Sequence, residues 1–262
     1  MTSEITLVVV AAVNKDEVLA GNLAASPIFE NGNIPLIVER GHLSAGEAYN
    51  CALDKTTANV VIFAHQDVYL PKGWETKLIS TIQSLDDDNG NWAVLGVIGM
   101  DMRGNLVGRT WSTGLQLKIE TQFSSPCPVQ SIDEIVIVLR RKSGLRFDCS
   151  LPGFHLYGTD IVQSAKKAGF EAYVFDGPVI HNSLPVIRLD SGYRKAYRYV
   201  RKKWRKHLPV YTTIIPLLWS QWPLIRYRLF LMRQRVFKGN KKVFRHSNPS
   251  ILARELEYEC LE

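Results

Sequence analysis

Short runs of consecutive apolar residues alternate with amphipathic stretches along much of the chain. Strands are predicted over residues 5–12, 34–39, 59–64, 92–99, 135–139 and 172–175, and helices over 15–25, 44–54 and 74–85. Strands that are apolar throughout, rather than at every second position, are typical of sheets buried on both faces. The alternation therefore predicts an α/β fold with a mostly parallel, mixed sheet covered by helices on both faces.

Polar residues follow several of the predicted strands. In a sheet of this kind, ligands bind beyond the carboxyl ends of the strands. The residues at those positions are Asn14, Glu39, His65, Gln66, Asp67 and Asp101. The sequence has no glycine-rich G-x-G-x-x-G motif after its first strand and no G-x-x-x-x-G-K-[ST] motif, which disfavours dinucleotide binding and P-loop chemistry.

Asp67 is a candidate metal ligand because it follows the apolar strand at 60–63. A carboxylate facing a ligand crevice suits Mg²⁺ or Mn²⁺, which prefer oxygen ligands and often bridge to phosphates. An Asp in this position also commonly caps a turn, and Pro71 and Gly73 indicate one here. Taken alone, the residue pattern favours the turn.

A second cluster lies at 151–169, where Gly158 or Thr159 begins a predicted helix that ends at Gly169. Asp160 lies in its first turn, where an acidic side chain stabilises the helix dipole. The same carboxylate, if it faced the crevice, could act as a general base toward a hydroxyl. His181 follows a later strand, and a lone histidine of this kind is more often structural than a ligand.

The C-terminal part differs from the rest in composition. Residues 188–246 hold 17 Lys and Arg against one acidic residue, a net charge of +16, and the remainder carries −9. Such asymmetry indicates an anionic partner, either phospholipid or nucleic acid. No nucleic-acid recognition motif is found, so a nucleic-acid partner is not expected. An anionic membrane surface is slightly favoured over a solvated helix face or a face that pairs with the acidic body.

Residues 211–232 are rich in aromatic and aliphatic side chains, but Pro216, Pro223, Arg226 and Arg228 interrupt them. A spanning helix needs about 20 apolar residues, so a transmembrane segment is not expected. The pattern fits an interfacial helix, and it fits packing on the body or on a second subunit of a homo-oligomer equally well.

The composition suits one large domain, or a domain with an appendage: 262 residues, 46% of them hydrophobic. We expect a body at 1–187 and a basic, aromatic-rich helical extension at 188–262. The four cysteines form no C-x-x-C pair and are expected to be reduced and structural. Because no secretory signal is visible, we expect a cytoplasmic location, with or without attachment to the inner face of a membrane.

One family shows these pieces in the same order. The chain contains VVVAAVN, LIVERGHLSAGEAYNCALD, VVIFAHQDVYLPKGW and RFDCSLPGFHLYGTDIVQSAKKAGFEAYVFDGPVIHNS. Over residues 5–183 this succession resembles the family-2-type glycosyltransferases of the GT-A, or nucleotide-diphospho-sugar transferase, fold. It is most similar to the bacterial branch in which the usual D-x-D signature reads H-Q-D. No single piece is specific, whereas the ordered set is.

The resemblance implies a role for each matching residue. Asp67 would meet a divalent metal, Mn²⁺ or Mg²⁺, and the sugar-nucleotide diphosphate, and His65 replaces the first Asp of the signature. His181 matches the late histidine that completes metal coordination. The remaining matches are Glu39, Gly46 and Asn50 around the nucleoside, and Asp133 and Glu134 on the acceptor side.

The sequence departs from the family at the position of the catalytic base. Many relatives carry Glu-Asp two residues before the match to Asp160, where this chain has Tyr157 and Gly158. Either Asp160 has taken over this role or the base lies elsewhere. Because Asp160 is the carboxylate left on that helix start, we predict it as the base. The implied reaction is an inverting, metal-assisted transfer of a sugar from a nucleotide-diphosphate sugar to a glycan or a lipid-linked or lipopolysaccharide-type acceptor. A weakened domain that only binds nucleotide-sugar or carbohydrate is the alternative.

Overall fold

The structure, a computed structural model, describes residues 4–88, 90–185, 191–237 and 244–259, with backbone only for 232–237. The strands are β1 (Leu7–Ala12), β2 (Leu36–Glu39), β3 (Val60–Ala64), β4 (Val68–Tyr69), β5 (Trp92–Gly96), β6 (Ile98–Asp101), β7 (Leu106–Ser112), β8 (Leu117–Glu120), β9 (Cys127–Ile132), β10 (Val136–Arg140), β11 (Glu171–Val174) and β12 (Val179–His181). The helices are α1 (Asp16–Ala20), α2 (Ala45–Asp54), α3 (Trp74–Asp88), α4 (Tyr157–Lys167), α5 (Ser191–Lys203), α6 (Trp222–Phe237) and α7 (Pro249–Glu255).

The strands form one mixed sheet in the order β2-β1-β3-β10-β5-β11-β9-β6-β7-β12-β4, with β8 beside β7. Strands β2, β1 and β3 are parallel, and β10 then runs antiparallel between β3 and β5. The predicted α/β class with a mixed sheet is confirmed. The pairing itself differs from the predicted, mostly parallel one. Among the described strands, antiparallel pairs outnumber parallel ones, because β6, β7, β8 and β9 pair antiparallel with their neighbours.

Each face of the sheet is covered by its own helices. Val8 and Val10 of β1 pack with α2, α4 and α5, whereas Val9 and Ala11 face the opposite side and pack with α3. Alternate residues of one strand thus belong to two hydrophobic cores, which is why β1 is apolar at every position.

The β12–β4 ladder brings two distant parts of the chain together. His181 pairs with Val68, and the Asn182 N–H donates to the carbonyl oxygen of Asp67 at 2.8 Å. On the other side, the His65 N–H donates to the Ile135 carbonyl at 3.0 Å. The turn after β3 is therefore held by β12 and by the segment before β10.

Helix α5 is part of the core of the body. Its buried residues Tyr193, Ala196, Tyr197 and Val200 lie on one face and join the same cluster as α2 and α4. The predicted boundary between 187 and 188 falls outside the described residues. The core formed by the preceding residues continues into the extension as far as Leu224.

Several sequence-based bounds change. The predicted strand at 92–99 is two strands, β5 and β6, separated at Val97, and α4 begins at Tyr157, earlier than predicted. Ser44 caps α2 as predicted, accepting from the Glu47 N–H at 3.2 Å. In the described parts of the chain, Cys51, Cys127 and Cys149 are free thiols. No helix there has the length and apolarity needed to cross a bilayer.

Candidate active site

Three predicted site residues meet at one edge of the sheet. His65, Asp67 and His181 each present a ligand atom, and these atoms all lie within 4.8 Å of one another. The Asp67 Oδ1 and His181 Nε2 atoms are 3.5 Å apart. This closeness follows from the pairing of β12 with β4, because that ladder brings His181 back to the turn after β3.

The carboxylate of Asp67 is held in its ionised form. Burial raises the pKa of Asp67, but the contact with His181 and the charges of His65 and Arg245 outweigh burial and hold the pKa well below its usual range. Arg245 Nη2 lies 3.5 Å from the other carboxylate oxygen of Asp67. The described contacts of the Asp67 side chain are thus with cationic or ligand-type groups, and they do not form a turn cap.

His65 is suited to act as a neutral ligand. Burial lowers the pKa of His65, the charge of Asp67 opposes this, and His181 adds to it, so the net shift is downward. Its Nε2 lies 2.9 Å from the hydroxyl of Tyr157, and this contact fixes the orientation of the ring. The second ring nitrogen, Nδ1, is then the atom suited to bind a metal.

The three side chains fit a divalent cation. Two imidazoles and one ionised carboxylate suit Mn²⁺, whereas Mg²⁺ prefers oxygen ligands throughout. A second group, Glu39, His42 and Cys51, also places its ligand atoms within 4.8 Å of one another. There the Lys55 ammonium already lies 2.6 Å from Glu39 and supplies the positive charge, so the group at Asp67 is the better candidate.

Arg245 is a site residue that the sequence analysis missed. Its Nε donates to the carbonyl of Asn182 at 3.0 Å, and the N–H of His246 donates to Asn182 Oδ1 at 2.7 Å. Asn182 is itself buried and donates to Asn22 Oδ1 at 2.8 Å. Asn182 thus anchors the C-terminal segment beside Asp67. The signal for Arg245 in the sequence was the high density of cations in the C-terminal part.

A cleft of about 710 Å³ opens next to Asp67. It is lined by residues at the carboxyl ends of β1, β2 and β3, including Asn14, Glu39, Arg40, His42, Gln66 and Asp67. Volumes between 300 and 1,000 Å³ are usual for small-molecule sites. The cleft is therefore large enough for a ligand that reaches the carboxylate of Asp67.

Glu39 is a buried carboxylate at the wall of this cleft. Its oxygens are held by Lys55 Nζ at 2.6 Å and by His42 Nε2 at 3.0 Å. Burial raises the pKa of Glu39, but the hydrogen bonds from Lys55 and His42 outweigh it and the pKa is lowered. Glu39 is thus ionised near neutral pH and positioned to accept hydrogen bonds.

Gly46 and Asn50 lie away from the cleft lining and fasten α2 to residues 147–149. A Cβ on Gly46 would come within 2.5 Å of the Asp148 carbonyl oxygen, so glycine permits this close approach. Asn50 Nδ2 donates to the Phe147 carbonyl at 2.8 Å, and Asn50 Oδ1 accepts from the Phe147 N–H at 3.0 Å. Their donor-binding role stays a prediction, and the contacts described are structural.

Asp133 and Glu134 lie in the connection between β9 and β10. Asp133 Oδ2 accepts from the hydroxyl of Thr213 at 2.7 Å. The hydroxyl of Tyr157 donates to the carbonyl oxygen of Glu134 at 3.2 Å and also contacts His65. Tyr157 therefore bridges the backbone of Glu134 and the side chain of His65, one of the candidate metal ligands.

Asp160 is placed differently from its predicted role. It is 3% exposed, its Oδ2 accepts from Lys203 Nζ at 2.9 Å, and its Oδ1 accepts from Trp204 Nε1 at 2.7 Å. Burial raises the pKa of Asp160, although Lys203 and Trp204 lower it. The structure corrects the expectation of a carboxylate open to the crevice. The assignment of Asp160 as the base stays a prediction, and these contacts count against it.

Comparisons with known proteins show the fold. No family model matches the chain. "ATP synthase subunits region ORF 6" from Fuscovulum blasticum is 28% identical over 166 residues, 60% of this chain. The chain covers 64% of that relative's length, which is less than two thirds.

Two solved glycosyltransferase structures are similar. The mannosyltransferase PcManGT from Pyrobaculum calidifontis, solved with GDP-Man and Mn²⁺, matches 98% of this chain and 81% of its own, with a TM-score of 0.52 and 11% identity. TarS 1-349 from S. aureus, solved with UDP, matches 88% of this chain and 72% of its own, with a TM-score of 0.49 and 12% identity. The likeness to PcManGT confirms the predicted GT-A fold of nucleotide-sugar glycosyltransferases.

The Asp160 ion pair predicts a loss of stability on substitution. Asp160→Ala should lower the free energy of unfolding by about 3 kcal/mol, because it leaves the buried indole N–H of Trp204 unpaired and removes one partner of Lys203. Chemical denaturation of the purified protein measures this. Asp16→Ala is the control, since it breaks an exposed pair with Arg40 and should cost at most about 0.5 kcal/mol. Equal stability of the two variants would contradict the structural role of Asp160.

Proposed function

We propose that the protein is a glycosyltransferase that moves a sugar from a nucleotide-diphosphate donor to a hydroxyl group, with a divalent cation as cofactor. The observation that supports this most strongly is the ionised Asp67 carboxylate, grouped with two imidazoles at the edge of a large cleft. The GT-A fold adds to it, because ligands of such sheets bind at the carboxyl ends of the strands.

The donor would lie along the cleft with its diphosphate toward Asp67. Glu39 accepts hydrogen bonds and so suits the ribose or base of the nucleoside, as the family resemblance also implies. Gln66 fixes the loop after β1, since its Oε1 accepts from the N–H groups of Asn14 and Lys15, both at 3.1 Å. One carboxylate would thus serve each end of the cleft: the buried Glu39 at the nucleoside end and the partly buried Asp67 at the diphosphate end.

Asp67 and His181 would hold the cation, with His65 as a neutral third side chain. When bound, Mn²⁺ or Mg²⁺ supplies positive charge against the departing diphosphate. Arg245 already contributes one positive charge beside Asp67. We therefore infer that the protein alone binds the metal modestly and that the diphosphate, which adds oxygen ligands and contacts for Arg245, completes the site.

The reaction is an inverting single displacement. The acceptor oxygen forms a bond to the anomeric carbon while the bond from that carbon to the diphosphate oxygen breaks. The nucleoside diphosphate leaves, and the acceptor proton passes to a carboxylate base. The side chains around Asp67 stabilise the leaving group, and the base must lie on the acceptor side.

The alternative is a weakened GT-A domain that binds a nucleotide-sugar or a carbohydrate without turnover. Two observations favour it: His65 replaces the first Asp of the signature, and Gly158 replaces the usual base. We prefer the transferase because a neutral His65 can bind a metal ion and because another carboxylate, Glu134, lies at the same helix start.

We assign α6, which carries several large exposed apolar side chains, to the acceptor side. The large side chains on it are Trp222, Ile225, Leu229 and Phe230, with Trp219 just before the helix, and each is 48% exposed or more. Arg226 and Arg228 are also exposed. Aromatic and cationic side chains together suit an anionic bilayer surface. We infer a peripheral protein on the cytoplasmic membrane face, with a lipid-linked or glycan acceptor, and a homo-oligomer stays a prediction.

Turnover by the full chain tests the proposal. With Mn²⁺ present, we expect release of nucleoside diphosphate from a UDP-, GDP- or dTDP-sugar, and Asp67→Asn should lower it about 100-fold or more by removing charge at the leaving group. Asp101→Asn is the matched control, because Asp101 also ends a strand but binds its own loop through Asn105. Donor binding without release, unchanged in the Asp67 variant, would favour the binding module.

Vesicle binding tests the membrane surface separately. The double variant Trp219→Ser, Trp222→Ser should bind anionic phosphatidylglycerol vesicles at least about tenfold more weakly, since it removes two large apolar anchors. Leu115→Ser, Leu117→Ser is the control, because these residues are exposed in the loop and strand at the β7–β8 hairpin. Equal sedimentation of both variants with the vesicles would show that α6 is not the membrane surface.

A further inference from the structure

The start of α4 holds a carboxylate that comes from another segment. Hydrogen bonding by the backbone N–H groups of Glu134 itself, Leu156 and Gly158 lowers the pKa of the Glu134 carboxyl, which burial and Asp133 raise. Leu156 directly precedes α4 and Gly158 lies in its first turn. Backbone N–H groups at such a helix start lack partners within the helix and attract negative charge. Glu134 therefore lies at the helix start where the family resemblance implies an acidic pair.

Gly158 is what allows this arrangement. A Cβ at position 158 would lie 2.7 Å from the carbonyl oxygen of Ile132, which is too close for any side chain. With glycine there, the β9–β10 connection that carries Asp133 and Glu134 can lie directly against α4. The close contact at Gly158 thus leaves no room for an acidic side chain at this position and places the segment of Glu134 against the helix.

We propose that Glu134 is the catalytic base that takes the proton from the acceptor hydroxyl, in place of Asp160. This inference rests on the proposed transferase function. In the step, the acceptor oxygen bonds to the anomeric carbon, its proton passes to a carboxylate oxygen of Glu134, and the electron pair of the broken bond leaves with the diphosphate.

Among the acidic side chains near α4, Glu134 has the geometry for this role. Asp160 is buried with both oxygens engaged. Asp133 accepts from Thr213 at 2.7 Å and from the N–H of Ile135 at 3.3 Å. Glu134 is partly exposed, and its contacts with backbone N–H groups leave other lone pairs of the carboxylate for an acceptor hydroxyl. Its carbonyl is linked through Tyr157 to His65, so it lies next to the metal-ligand cluster.

The surroundings also shift the pKa of Glu134. Burial, and then the charge of Asp133, raise the pKa of Glu134 to about 8, although the backbone N–H groups lower it. The other titratable groups that face it are the phenols of Tyr49, Tyr157 and Tyr193, with His155 against the Tyr193 ring at 5.4 Å. Burial raises the pKa of Tyr49 to about 12 and raises the pKa of Tyr157 and of Tyr193 well above that of a free phenol, so all three stay neutral where Glu134 ionises.

A structural role as a helix cap is the competing explanation, and Glu134→Gln separates the two. Gln keeps the size of the side chain and an oxygen that accepts hydrogen bonds from the backbone N–H groups at the helix start, but it cannot act as a base. The experiment uses the full chain with Mn²⁺, the best of UDP-glucose, UDP-N-acetylglucosamine and GDP-mannose, and n-octyl glucoside as the hydroxyl. Release of nucleoside diphosphate is followed from pH 6 to 9.

We expect Glu134→Gln to lower kcat by about 10² to 10⁴-fold, with UDP or GDP affinity and the thermal midpoint unchanged. The wild-type rate should rise through about pH 8 as Glu134 loses its proton, and the variant should lose this rise. Glu134→Asp keeps the charge on a shorter side chain, and its kcat should lie between that of the wild type and that of Glu134→Gln. Asp160→Asn should lose stability while its folded fraction keeps the wild-type kcat.

Two outcomes would overturn the proposal. A wild-type rate and pH profile in Glu134→Gln would leave the transferase in place and make Glu134 a helix cap. A fall in kcat confined to folded Asp160→Asn would return the base to Asp160. Absence of release by the wild-type chain with all three donors would instead contradict the proposed function itself, and the base assignment with it.

Discussion

An ionised carboxylate at the end of a strand buried on both faces has to be compensated, because a charge removed from water is costly without partners. Asp67 is that carboxylate, and the compensation comes from far along the chain. His181 reaches it through the β12–β4 ladder, and Arg245 reaches it through the anchor on Asn182. The C-terminal segments thus contribute to the surroundings of Asp67, and in the proposed function the same groups would face a metal and a diphosphate.

Two carboxylates near α4, Asp160 and Glu134, differ in the groups that surround them. Asp160 is buried between Lys203 and Trp204, and its charge is already satisfied by them. Burial and the neighbouring charge of Asp133 raise the pKa of Glu134 and outweigh the backbone N–H groups that lower it, so Glu134 retains a proton more readily. Pairing with a cation favours a structural role, whereas a neighbouring like charge with partial exposure favours proton transfer.

The sequence predicted the parts of the fold that depend on local pattern. The apolar runs of β1, β3 and β10 and the Ser44 cap of α2 are confirmed, and the polar residues His65 and Asp67 after β3 line the cleft. Strands β7 and β8 were not predicted, since β8 is largely exposed and β7 mixes exposed and buried positions.

Other features depended on contacts between distant segments. The position of Asp160 in the first turn of α4 was correct, but its partners come from the end of α5, which no spacing reveals. Arg245 is one of many cations in the tail, and only its anchor on Asn182 distinguishes it. The approach of Glu134 to Gly158 likewise depends on how β9 and β10 pack against α4.

The most direct measurement is a crystal structure of the protein with Mn²⁺ and UDP or GDP, with anomalous diffraction recorded at the manganese edge. We expect an anomalous peak within ligand distance of Asp67 and His181, with the diphosphate oxygens completing its coordination beside Arg245. A peak at Glu39, His42 and Cys51 instead, or a nucleotide bound with its diphosphate away from Asp67, would contradict the assignment of this site.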